Sequence, residues 1–101
     1  IYPTLPADQI VHPLNDSGAA ALFVSNESQA AKAASVRAQF KTVKAIISFV
    51  EPKPAGVDYS FAELEAKGAA LDSPAKAAEW KAAALTVKPD DLATLDFLCV
   101  R

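Results

Sequence analysis

The chain has 101 residues, room for one domain with a modest core and too few for a complete enzyme of two domains. Hydrophobic residues make up 51% of it, but many are alanines, which add little buried area each, so a thin core is expected. Ten basic against twelve acidic residues give a formal net charge of -2 with no block of like charge, which argues against a nucleic-acid surface, and the lone Cys99 excludes an intrachain disulfide and makes a cytoplasmic setting the default.

The start, Ile1-Tyr2-Pro3-Thr4, has neither a basic leader nor an initiator methionine and reads as the end of a strand, so the native N-terminus is expected to lie upstream. Thr4, Leu5 and Pro6 then suit a helix start, because threonine can cap free amides and proline loses nothing in a first turn. The helix is expected to reach about Asp16, with Ile10, Val11 and Leu14 on one face and Gly18 ending it in the left-handed conformation. Pro13, deep in this segment, predicts a kink or an early end, since it lacks an amide donor and crowds the carbonyl of Gln9.

Ala20 to Ser25 is a short apolar run between turn formers and predicts a strand buried on both faces. Asn26 with Gln29 has capping-box spacing and opens a second helix through about Gln39. Val43 to Val50 is rich in β-branched residues and predicts a second buried strand. The longest apolar runs, Gly18 to Val24 and Ala45 to Val50, fall far short of the roughly 20 residues that span a bilayer.

Glu51 to Asp58, with two prolines and a glycine, reads as a surface loop. Ser60 with Glu63 forms another capping box, starting a short helix expected to end at Gly68. Ser73-Pro74 starts a longer helix through about Thr86, with Ala77, Trp80, Ala84 and Leu85 on one stripe and Trp80 as its anchor onto a sheet. Lys88 to Asp91 reads as a turn into a last strand candidate, Leu92 to Leu98, interrupted by Asp96. The alternation of helices and strands predicts a three-layered α/β fold with a mainly parallel sheet.

Three stretches carry a family resemblance. The first is Tyr2-Pro3-Thr4-Leu5-Pro6-Ala7-Asp8-Gln9 with Leu14-Asn15-Asp16-Ser17-Gly18 and Leu22-Phe23-Val24. It resembles the segment of bacterial long-chain fatty-acid CoA ligases in which a strand ends in Tyr-Pro-Thr, a helix closes in Asn-Asp-Ser-Gly, and the next strand reads Leu-Phe-Val. The second, Ser60-Phe61-Ala62-Glu63-Leu64, is similar to that family's short helix after a variable loop. The third, Val87-Lys88-Pro89-Asp90-Asp91-Leu92-Ala93-Thr94-Leu95, resembles the strand leading into its phosphate-binding loop. After Leu95 the family continues towards Thr-Ser-Gly-Thr-Thr-Gly, whereas this chain reads Asp96-Phe97-Leu98-Cys99-Val100-Arg101.

The resemblance implies that residues 1 to 101 are a single partial domain, the part of an adenylate-forming enzyme's N-terminal, AMP-binding domain that precedes the phosphate-binding loop. It implies ATP, Mg²⁺ and coenzyme A as cofactors of the intact parent but none for this segment, the rest of the parent as partner, and a cytoplasmic or membrane-peripheral parent. It also implies self-association of the isolated segment through exposed sheet edges. The rival expectation is a non-catalytic α/β interaction module.

No residue is assigned to catalysis, to a cofactor or to a metal. Gly18, Gly56 and Gly68 stand apart and make no phosphate-cradling loop. His12 has no serine, cysteine or carboxylate fixed beside it in sequence. Cys99 sits in an apolar pattern where thiols are usually inert. Asp90 and Asp91 suit turn capping better than metal binding.

Overall fold

A computed structural model describes residues 1–97. The chain falls into two compact units, Ile1–Leu64 and Glu65–Arg101. The first is α/β: helix α1 (Ala7–Asp16), strand β1 (Ala21–Val24), helix α2 (Glu27–Ser35), a 3₁₀ turn (Arg37–Gln39), strand β2 (Ala45–Ser48), strand β3 (Tyr59–Ser60) and the start of helix α3 (Phe61–Leu71). The strands form one all-parallel sheet in the order β1-β2-β3, with Ala21 opposite Ala45 and Ile47 opposite Tyr59. The two strands read from apolar runs are present, each shorter than its run; β2 is largely buried, but β1, expected to be buried on both faces, leaves Ala21 and Phe23 exposed because among the described residues of its unit the helices cover only the opposite face.

Helix α1 begins at Ala7 rather than in the turn after Thr4. Pro6 disfavours the α conformation in the residue before it, so Leu5 cannot start the helix, and Pro6 itself takes the N-cap position without a side-chain cap. Pro13 does not end α1, which continues to Asp16. The proline ring is buried with Ile10 and Leu14, so the packed face compensates for one missing backbone bond. Gly18 closes the segment at φ 69°, as expected of a left-handed helix stop. Helix α2 starts where Asn26 Oδ1 accepts the Gln29 amide at 2.9 Å. It stops at Ser35, earlier than read from sequence, because Val36 leaves helical geometry (φ -113°, ψ 7°) and turns its side chain into the core.

One core cluster joins β1, β2 and α2 through Val24, Ala30, Ala33 and Ile46, with Val57 reaching in from the loop; a second joins α1 to the end of α2 through Ile10, Leu14 and Val36. Both are built largely from small or medium side chains, as the alanine content implied. Two buried hydroxyls, Ser48 and Ser60, sit opposite each other in the ladder, and both are hydrogen-bonded.

The second unit consists of the rest of α3, helix α4 (Pro74–Leu85) and the residues that follow. Ser73 Oγ accepts the Lys76 amide at 3.1 Å and Pro74 fills the first turn, as the sequence pattern required. Helix α3 runs through Gly68 to Leu71, contrary to the expected stop. Gly68 has no positive φ, and alanines on both sides supply enough helix propensity to carry one glycine. Trp80 is 75% exposed, not an anchor, and α4 has no buried residue. The expected strand at Leu92 to Leu98 is not formed over residues 92 to 97, and Leu98 lies outside the described residues. A strand exists only through a paired neighbour, and among the described residues this unit contains no other strand. Among the described residues no helix is long and apolar enough to cross a membrane.

Candidate functional site

In open parallel sheets ligands bind beyond the carboxyl ends of the strands, where helix N-termini point free amides at the ligand. Here that end is formed by Ser25 and Asn26 after β1, Phe49 to Pro52 after β2, and Phe61 after β3. Both helix N-termini are filled by the chain's own side chains. Asn26 caps α2. At α3 the capping box is reciprocal: the Glu63 amide donates to Ser60 Oγ at 3.2 Å, and the Ser60 amide donates to Glu63 Oε2 at 2.8 Å. The Glu63 carboxylate thus supplies the negative charge that the α3 N-terminus favours, and Lys53 Nζ pairs with it at 3.1 Å from both oxygens.

What this region does present is apolar. Strand alternation turns Leu22 and Val24 towards α2 and leaves Phe23 and Ile47 on the opposite face. Ile47 is buried there, but Phe23, Phe49 and Phe61 form a half-exposed aromatic cluster. The rings of Phe23 and Phe49 stack at 5.5 Å, and Phe61 closes on Phe49 at 5.2 Å and on Phe23 at 6.5 Å. At the outer edge of β1 lies a cleft of about 150 Å³ lined by Tyr2, Pro3, Leu22, Phe23, Gln29 and Phe49 among others. This is below the roughly 300 Å³ at which small-molecule pockets begin. Its outer wall is tied down where Gln29 Nε2 and Lys32 Nζ donate to the Pro3 carbonyl at 3.0 and 2.6 Å.

A polar cluster stands apart from these. Arg37 donates to both oxygens of Asp58 at 2.9 and 2.8 Å and to the Gly56 carbonyl at 3.2 Å. Asp58 Oδ2 also accepts the Ile46 amide at 2.7 Å, and the Asp58 amide returns a bond to the Ile46 carbonyl at 2.9 Å. The Asp58 carboxyl is held below its ordinary value, first by the hydrogen bond from the Ile46 amide and then by that from Arg37, against the opposing effect of partial burial.

His12 is exposed on α1. Asp91 Oδ2 accepts the Lys88 amide at 2.7 Å, the turn-capping role expected of this pair of aspartates. Among the described residues no three His, Cys, Asp or Glu side chains are grouped to hold a metal. Cys99 lies outside the described residues. Sequence reading missed the aromatic cluster and the Arg37–Asp58 pair. Their members come from separate elements, and no local pattern links positions 21 residues apart.

No family model, curated protein or solved structure matches this chain.

Proposed function

We propose that this chain is part of the adenylating region of a long-chain fatty-acid CoA ligase and that its share of the work is scaffolding. In the intact parent a fatty carboxylate attacks ATP to give an acyl-adenylate and pyrophosphate, and coenzyme A then displaces AMP to give the thioester. The segment contributes strands and helices that position the phosphate-binding loop of the parent, and holds neither ATP nor Mg²⁺ itself. The observation that supports this reading is local: Asn15 to Gly18 ends a helix, Leu22 to Val24 is a strand, and Ser60 to Glu63 opens a helix, each as in the segment it resembles. An all-parallel sheet with helices on one face and exposed phenylalanines on the other also suits a three-layered parent, because parallel sheets are normally covered on both faces.

A second reading, a non-catalytic α/β interaction module, is favoured by the carboxyl end of the sheet. Both helix N-termini there are self-capped and the remaining surface is aromatic, which suits apolar contact better than a triphosphate.

Sequencing the coding region beyond codon 101 separates the two. The ligase reading expects a frame that continues into Thr-Ser-Gly-Thr-Thr-Gly, and its absence from every frame sinks that reading. The full open reading frame, once expressed, is expected to release pyrophosphate from ATP in the presence of palmitate. The chain of 101 residues alone is expected to show no heat of binding with ATP·Mg²⁺ in titration calorimetry. In sedimentation velocity with circular dichroism it is expected to self-associate through a sheet edge or the apolar face of its sheet, or else to be partly unfolded.

A further inference from the structure

The residues between β2 and β3 do more than connect two strands. The arm Gly56-Val57-Asp58 crosses α2 so closely that a Cβ at Gly56 would stand 2.6 Å from Ala34 Cβ, and it inserts Val57 into the core beside Ile46 and Ala33. Strand β3 itself has only two residues in register with β2, Tyr59 and Ser60. Two paired residues are far too few to hold a strand by themselves. The pairing is extended by a side chain. Asp58 accepts the Ile46 amide through its carboxylate, where a strand would offer a carbonyl, and returns its own amide to the Ile46 carbonyl. That carboxylate is in turn fixed by Arg37, whose Nη2 reaches both of its oxygens while Nη1 donates to the Gly56 carbonyl, so the guanidinium fork spans the arm.

We propose that Arg37 and Asp58 form a latch that holds the arm, β3 and the first turn of α3 on the sheet, so that this segment opens and closes as a unit while α1, β1, α2 and β2 remain folded. The unequal distribution of the core supports the separation. Releasing the arm removes Val57 from one cluster and leaves Val24, Ala30, Ala33 and Ile46 in place, and it leaves the cluster of Ile10, Leu14 and Val36 intact. The aromatic surface responds to the same latch. Phe61 directly follows β3, so opening withdraws its ring from Phe49 and Phe23 and uncovers both. The latch therefore controls how much of the aromatic face is available for contact. The other charged groups beside the latch are Lys53, which donates to the Asp58 carbonyl, and Glu63, which pairs with Lys53 and accepts the Ser60 amide, contacts made within the β2–β3 connection and the start of α3.

Native-state hydrogen exchange measured by NMR on the whole chain tests the latch. Asp58→Asn and Arg37→Gln are expected to speed exchange of the Ile46 amide and of the residue-58 amide, the two that join the arm to β2, by roughly tenfold or more, the scale for losing a charged partner of a buried amide. Exchange along β1 is expected to stay within about twofold of the parent. Arg37→Lys keeps the charge without the fork and is expected to fall between. Nuclear Overhauser contacts between Phe49 and Phe61 are expected to weaken in step with the exchange. Equal acceleration at β1 and at the amides of Ile46 and residue 58 would show a single cooperative unit and overturn the proposal, as would unchanged exchange at those two amides. If Asp58→Asn does not fold, the milder Arg37→Lys decides between the same outcomes.

Discussion

Gly56→Ala is the substitution most sharply specified by the structure. Two separate costs meet at this position. Gly56 has φ 80°, a left-handed conformation that costs a residue with a Cβ about 1–2 kcal/mol. The added methyl would also stand 2.6 Å from Ala34 Cβ, against an ordinary carbon contact of about 3.5–4.0 Å. Ala34 is on a helix and has no rotamer to escape into, so the arm or α2 must move by roughly 1 Å; forced overpacking of that kind typically costs about 1–3 kcal/mol. The sum, about 2–5 kcal/mol, is a large part of the roughly 5–15 kcal/mol that a domain has. Gly18→Ala supplies the control, because Gly18 has φ 69° but open space around its missing methyl, and so carries only the conformational cost. Urea unfolding followed by circular dichroism is expected to give Gly56→Ala a deficit about 1–3 kcal/mol greater than Gly18→Ala. Combining Gly56→Ala with Ala34→Gly is expected to recover part of that difference, read as a coupling energy in a double-mutant cycle. Equal losses for the two alanine variants, or no coupling between positions 34 and 56, would refute the close approach on which the argument rests.

Three further outcomes are expected. Asp58 has a depressed carboxyl pKa, so its contribution to stability is complete above the ordinary carboxylate value of 3.8 and is lost as pH falls through the lower folded value; acid unfolding of Asp58→Asn is expected to lack that component, and identical acid profiles for parent and variant would contradict it. Gly68→Ala places a helix former in the open interior of α3 and is expected to stabilise that helix by up to about 1 kcal/mol, visible as a gain in ellipticity at 222 nm. Ser60→Ala removes the acceptor of the Glu63 amide at a buried position and is expected to cost about 0.5–2 kcal/mol in urea unfolding, with a smaller loss in Ser60→Thr.

What the sequence determined by itself was local. The Asn26, Ser60 and Ser73 caps, the left-handed stop at Gly18 and the apolar runs that became β1 and β2 all depend on residues within a few positions of one another, and the structure has them where those patterns fall. Alternation of helix and strand was enough to imply a parallel sheet, because a strand that must return in the same direction needs a crossover. Tertiary structure decided the rest. Residues 92 to 97 have strand-like composition, but a strand is made by its neighbour, and no composition supplies one. Gly68 stops a helix only where the chain must turn, and here the chain has no need to. Strand β3 was invisible because two residues carry no periodicity; beside it stand a carboxylate from its own arm and a guanidinium from the 3₁₀ turn that follows α2. The same reason hid the aromatic cluster: Phe23, Phe49 and Phe61 are unremarkable in sequence and meet only because three parallel strands bring their carboxyl ends to one edge.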